Sequence, residues 1–143
     1  MKIVIAMDSF KGSLTSLEAG EAAAKGVTDS LPDSEIILMP LADGGEGTVS
    51  AIVNALGGEM VPAVVRGPLG TLIESSYGMV CAADDTGTSR VTALIEAADA
   101  AGLTKVPSSL RNPRKTTTAG LGDLIRHAVT RGIKDFVIGI GGS

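Results

Sequence analysis

Over the first sixty positions, apolar residues come in short solid runs separated by polar, glycine-bearing loops. KIVIAM at 2–7 and EIILM at 35–39 are continuous apolar stretches, the pattern of parallel strands buried on both faces. After the first run comes DSFKGSLT, and Thr15 with Glu18 three positions on has the form of a capping box. A helix is therefore predicted through LEAGEAAAKGVTDSL, stopping at Pro32. After the second run comes PLADGGEG, and a second helix is predicted over 47–56, ending at Gly57-Gly58. Strand, helix, strand, helix is the order of a parallel sheet.

The pattern then changes. EMVPAVVR at 59–66 reads as a strand, with Pro62 marking an edge. GPLG at 67–70 is a turn, and TLIESSYGMV and SRVTALIEA are further strands around ADDTG. AADAAGL has the composition of a helical turn, and VPSSLRNPRK is a basic loop. Thr116 to Thr118 offer N-caps for a helix through LGDLIRHAVTR, closed by Gly132. KDFVIGI is a third apolar strand of parallel type. The predicted fold is α/β: a Rossmann-like parallel sheet with helices on both faces, plus a β-rich portion of a second, smaller α/β domain. Residues 1–58 would open the first domain, 59–110 supply the β-rich portion, and 111–143 return to the first.

Composition narrows the function classes. Aromatic residues are 2% of the chain and Trp is absent, so small aliphatic residues must fill the core. The net charge of −4 argues against nucleic acid or an anionic membrane as partner. Cys81 is the single cysteine and reads as a small core residue, with no internal disulfide or zinc pair available to it. The N-terminal apolar run meets Asp8 too early for a signal peptide. No apolar run approaches the roughly 18–20 residues of a membrane span. A cytoplasmic protein is expected.

Candidate chemistry sits in the loops that follow the three apolar strands. In open α/β sheets, ligands bind outside the carboxyl ends of the strands. After the first strand, Lys11 can clamp a phosphate or carboxylate, Ser9 can donate a hydrogen bond, and Asp8 can accept one or hold a metal. After the second come Asp43, Gly44, Gly45, Glu46, Gly47 and Thr48. Glycines there admit a ligand to the backbone, and free N–H groups at the helix start favour an anion. The two carboxylates suit Mg²⁺ or substrate hydroxyls better than a bare pyrophosphate. After the third strand, Gly141, Gly142 and Ser143 resemble a phosphate-cradling turn. If the three strands are parallel neighbours, about 4.8 Å apart, the loops leave one edge of the sheet and line one crevice. Gly120 and Gly122 after the Thr run also suggest close backbone approach. Arg111, Arg114 and Lys115 read as a solvated basic loop, His127 as structural or exposed, and Glu96 as a carboxylate closing an apolar run at a helix start.

Together, KIVIAMDSFKGSLT, PLADGGEGT, RGPLG, LIEAADAAGL, RNPRKTTTAGLGDLI and FVIGIGGS resemble the N-terminal part of the class I glycerate kinases, in the family's order and over nearly the whole chain. The departures are Met7 at a usual Pro, Asp99 at a usual Ala, Leu121 at a frequent Thr, and Asp123 at a common Glu. The family pattern also continues beyond GGS with a long further stretch. The resemblance implies two α/β domains with the active site between them. It also implies ATP and Mg²⁺ as cofactors, and phosphorylation of D-glycerate to 2-phosphoglycerate or 3-phosphoglycerate. On that basis Asp8, Lys11 and Asp43 are the expected catalytic residues. Ser9, Gly44, Gly45, Glu46, Gly47 and Thr48 are the expected substrate contacts, and Gly120, Gly122, Gly141, Gly142 and Ser143 the nucleotide contacts. No metal ligand is assigned. The alternatives are an inactive truncated fragment and a small nucleotide- or anion-binding domain. An uncovered last strand would leave an apolar face and a sheet edge open, which predicts self-association.

Overall fold

The computed structural model describes residues 1–10, 13–83 and 87–142. In chain order the elements are β1 (Lys2–Met7), α1 (Ser16–Ser30), β2 (Glu35–Pro40), α2 (Thr48–Leu56), β3 (Glu59–Arg66), β4 (Leu72–Ala83), β5 (Ser89–Glu96), α3 (Ala97–Ala101), α4 (Ala119–Thr130) and β6 (Asp135–Gly139). Two short 3-10 turns, Leu103–Lys105 and Ser108–Leu110, lie between α3 and α4. The chain forms two compact units, Met1–Asp43 and Gly44–Ser143. The α/β class expected from the hydrophobic pattern is the class observed.

In the first unit β1 and β2 pair in parallel, from Lys2 opposite Glu35 to Met7 opposite Pro40. Helix α1 connects them. Its start is the capping box read from the sequence: Thr15 Oγ1 accepts from the Glu18 amide at 3.2 Å, and Glu18 Oε2 accepts from the Thr15 amide at 2.8 Å. These bonds hold the Glu18 carboxyl below its ordinary range, the Thr15 backbone bond contributing most. The expectation of full burial for β1 fails. Its positions alternate between exposed and half-buried, with Val4 exposed. A single helix covers a single face of a two-stranded sheet, so alternate residues of the apolar run have nothing to pack against.

The second unit is a four-stranded sheet in the order β3-β4-β5-β6. The pairings β3–β4 and β4–β5 are antiparallel, and β5–β6 is parallel. Strand β3 is an edge, as Pro62 foretold, because proline has no N–H for a second neighbour. One face packs Val61, Val65, Tyr77 and Ile95 against Ala100 of α3 and Leu124 and Ala128 of α4. The other packs Val80 and Leu94 against Val49 and Val53 of α2. Tyr77, Ile95, Leu124 and Val65 are fully buried, each contributing about 1.5–3 kcal/mol by removal from water. Gly78 permits α2 to lie this close, since a Cβ there would clash with Val53 Cγ2.

Two further expectations need correction. Strand β6 pairs with β5 of its own unit, Thr92 opposite Asp135 through Glu96 opposite Gly139. Segments assigned to different domains, 59–110 and 111–143, thus share one sheet, because β5 turns into α3 and returns through α4 in a crossover that suits parallel pairing. Cys81 is exposed rather than in the core; it lies near the end of β4, opposite Val91, which is exposed as well. Thr118 is the α4 N-cap, within the Thr run expected to supply it, and makes no side-chain capping bond. Thr117 Oγ1 instead accepts from the Ala119 amide at 3.1 Å.

Candidate functional site

In the second unit, two of the glycine-rich motifs fold onto each other. Gly44 and Gly47 both have φ of 88°, a backbone that only glycine adopts readily. The Gly44 amide donates to Thr48 Oγ1 at 3.1 Å, and the Thr48 amide donates to the Gly45 carbonyl at 3.2 Å. The motif that ends β6 then docks on this loop, with the Gly141 amide donating to the Gly44 carbonyl at 2.9 Å. A Cβ on Gly139 would lie 2.5 Å from Gly44 O, and one on Gly141 would lie 2.7 Å from Gly45 N. The glycines therefore make a backbone-to-backbone seam. Gly142, with φ of 69°, passes its carbonyl to the Leu103 amide at 3.1 Å. Gly44, Gly45, Gly47, Thr48, Gly141 and Gly142 are brought together as one cluster. Gly45 is buried, while Glu46 presents an exposed carboxylate from the same loop.

Sequence reasoning noted Glu96 as a carboxylate at the end of an apolar run but missed that it ties this cluster to the sheet. Glu96 is the last residue of β5 and is buried. Its Oε1 accepts from the Gly47 amide at 3.0 Å and its Oε2 from the Val49 amide at 2.9 Å. The signal was present in LIEAADAAGL, where a carboxylate interrupts an apolar run at a strand end. A charge among so many aliphatic residues needs a set of donors.

Gly120 and Gly122 are used differently. Gly120 is buried where α4 crosses β3, and a Cβ there would meet the Arg66 carbonyl and come within 3.2 Å of the Ala100 Cβ. Helix-to-sheet packing accounts for this glycine. Gly122 is exposed, with open space around it. The next residue, Asp123, accepts from the Arg66 amide at 3.1 Å, from Arg66 Nε at 2.8 Å, and from an Arg126 guanidinium nitrogen at 2.8 Å. The Arg66 side-chain and backbone bonds, with the two positive charges, hold the Asp123 carboxyl far below the usual carboxylate range.

A second polar set lies beneath α3. Asp99, at a departure from the family pattern, accepts from Ser75 Oγ at 2.8 Å and the Ser76 amide at 2.7 Å, and pairs with Lys105 at 3.3 Å. Burial pushes its carboxyl upward, but these donors outweigh it and leave the group lowered. Ser76 stands opposite Pro62 of β3, and the β4–β5 ladder ends two residues on, at Gly78 opposite Leu94. Asp99 thus supplies the acceptor that a continuing strand would have offered. An open cavity of about 610 Å³ here is lined by Pro62, Glu74, Ser76, Asp99 and His127, among others. His127 is half-buried, with Nδ1 3.2 Å from the Tyr77 hydroxyl, in keeping with the structural role expected for it.

In the first unit, Asp8 and Ser9 follow β1, and Asp43 follows β2. Since Met7 stands opposite Pro40, these residues leave the same edge of the two-stranded sheet. Asp8 and Asp43 are exposed, and Asp8 Oδ1 accepts from the Ser9 amide at 2.7 Å. Lys11 and Ser143 lie outside the described residues. Among the described residues, no group of three His, Cys, Asp or Glu is placed to hold a metal ion, and no helix is long and apolar enough to cross a membrane.

Comparison with known proteins agrees with the arrangement of motifs. The model of the glycerate kinase family matches residues 3–143. A glycerate kinase of Bacillus subtilis strain 168 is 48% identical over 143 residues, which are 100% of this chain and 36% of that protein. The glycerate 2-kinase of Escherichia coli K12 is 45% identical over the same span and share. A crystal structure assigned as glycerate kinase 2 from Salmonella typhimurium LT2 superposes with a TM-score of 0.71 at 47% identity, covering 100% of this chain and 37% of that one. The chain thus spans about 36% of the length of the relatives it matches, at their N-terminal side.

Proposed function

Because this chain belongs to the glycerate kinase family, we propose that it is the N-terminal portion of an enzyme that transfers the γ-phosphoryl group of ATP to a hydroxyl of D-glycerate. The observation that carries the reading is the seam between Gly44-Gly45 and Gly139 to Gly142, built from the two motifs most characteristic of the resemblance. Phosphoryl transfer is chiefly a matter of positioning and charge stabilisation. A fixed glycine platform that admits a ligand to its backbone, with a carboxylate beside it, suits that task.

In this reading Lys11 clamps the glycerate carboxylate or the transferred phosphoryl group, and Asp8 or Asp43 orients the glycerate hydroxyls. Ser9, Gly44, Gly45, Glu46, Gly47 and Thr48 contact substrate. Gly141, Gly142 and Ser143 approach the nucleotide, together with the exposed backbone at Gly122; Gly120 supports them through the packing of α4. Mg²⁺ commonly binds through one or two carboxylates and the phosphates of the nucleotide. It needs no three-ligand protein cluster, and Asp8, Asp43 and Glu46 are exposed hard-oxygen donors of the right kind. When bound, Mg²⁺ would offset the charge of the phosphates. The product is 2-phosphoglycerate or 3-phosphoglycerate.

The test is a coupled assay with ATP, Mg²⁺ and D-glycerate, followed by Lys11→Ala and Asp43→Ala. Turnover that falls by about a hundredfold or more in each variant is expected for groups acting on the transferred charge. Undiminished turnover in both would remove them from the site. The 36% span favours a second reading, in which the chain alone binds nucleotide without turning it over. Calorimetric binding of ATP without product formation would select it.

A further inference from the structure

The start of α2 has the geometry of an anion site, and the protein fills it with its own carboxylate. The helix has Gly47 as its N-cap and no side-chain capping bond from that residue. Its first amides would ordinarily seek water, a ligand or a cap. Glu96 reaches them from the end of β5, one oxygen on the Gly47 amide at 3.0 Å and the other on the Val49 amide at 2.9 Å. Glu96 is only 7% exposed, so little water competes for these bonds. Other tethers of the loop include the Gly44 amide on Thr48 Oγ1, the Thr48 amide on the Gly45 carbonyl and the Gly44 carbonyl under Gly141.

We propose that Glu96 is the positioning residue of the glycine loop. Its carboxylate occupies the anion position at the α2 N-terminus and fixes residues 44–48 in register with Gly139 to Gly142. Anionic groups of a ligand must then be held elsewhere than at this helix start. A phosphate entering there would meet a buried negative charge already holding the two best-placed donors, and displacing it would strand that charge. The loop therefore serves as a preformed backbone platform, set by β5, rather than as a helix-dipole phosphate cradle.

The inference rests on the proposed reaction only in its kinetic arm, so the test has three readouts. In the wild-type protein, titration with inorganic phosphate should leave the Gly47 and Val49 amide resonances unmoved. In Glu96→Ala, both amides should exchange with solvent about tenfold faster or more, having lost a charge-assisted bond. Phosphate or formate should now shift their resonances, and formate should restore part of the protection. Glu96→Gln keeps the side-chain shape but offers an NH₂ to one amide, so one of the two amides should lose protection while the fold stays intact. With ATP and D-glycerate, Glu96→Ala should lower kcat more than it raises KM, with partial recovery in formate. Movement of the wild-type Gly47 and Val49 resonances with phosphate, or unchanged exchange in both variants, overturns the proposal. Absence of turnover in the wild type would select the nucleotide-binding reading and leave the role of Glu96 untouched, since exchange and phosphate titration decide that role independently.

Discussion

The two units of this chain use the same kind of strand-to-loop motif and secure it in opposite ways. In Gly44–Ser143 the motif is locked by backbone against backbone, by a buried carboxylate, and by core packing on both faces of a four-stranded sheet. In Met1–Asp43 two parallel strands carry one helix, Ala19 and Gly20 are the buried residues of that helix, and Val4, Met39 and Leu41 are exposed. With one helix on one face, the strand β1 is buried on alternate positions only. The first-unit residues that follow these strands, Asp8 to Phe10 and Leu41 to Asp43, lie at the strand ends, where Asp8 accepts from the Ser9 amide and the Leu41 amide donates to the Met7 carbonyl. A glycine loop becomes a rigid platform only where a full sheet stands behind it.

The contrast can be broken most forcefully at the seam. Gly139→Ala and Gly141→Ala would each push a Cβ into backbone of the Gly44-Gly45 turn, at 2.5 and 2.7 Å, where no flexible side chain can yield. A loss of about 1–3 kcal/mol is expected in urea melts, the range of core overpacking, together with loss of ligand binding. Wild-type stability in both would mean that the seam is not the fixed platform described.

A smaller effect is expected at Asp123, and it should depend on pH. Its carboxyl is depressed by Arg66 and Arg126, so the unfolded chain binds the proton more tightly than the folded one. The resulting stabilisation is present above the ordinary value of 3.8 and is lost as pH falls through the lower, folded value. Melts of the wild type between about pH 6 and pH 3 should therefore show stability declining at the acid end. Asp123→Asn should be less stable at pH 6 and show a flatter acid decline. An equally steep decline in the variant would show that this cluster is not its source.

The smallest effect should arise in the first unit. Thr15→Ala removes the capping box of α1 and should cost about 1 kcal/mol or less, visible as faster amide exchange in α1. Exchange in the central strands β4 and β5 should be unchanged if the two units open independently. Slower exchange in α1 than in β4 and β5 of the wild type would reverse the contrast altogether.

Much of the architecture could be read locally. The Thr15–Glu18 box, the helix ending at Gly57, the edge strand marked by Pro62 and the closure of α4 at Gly132 each depend on a few neighbouring residues, and each stands where the pattern put it. The motifs that identify the family were legible for the same reason, since turns that admit a ligand need particular residues at particular spacings. Strand neighbours were not legible. An apolar run such as FVIG pairs as well with one parallel strand as with another, and the crossover from β5 through α4 decided for β5. Burial was misjudged in KIVIAM because solid apolarity says that a strand can be covered on both faces, without saying that anything covers it. The role of Gly120 followed from its crossing over the Arg66 carbonyl, and that of Glu96 from a reach of some fifty positions to Gly47. Contacts that distant are set by the path of the whole chain, and local pattern contains no record of that path.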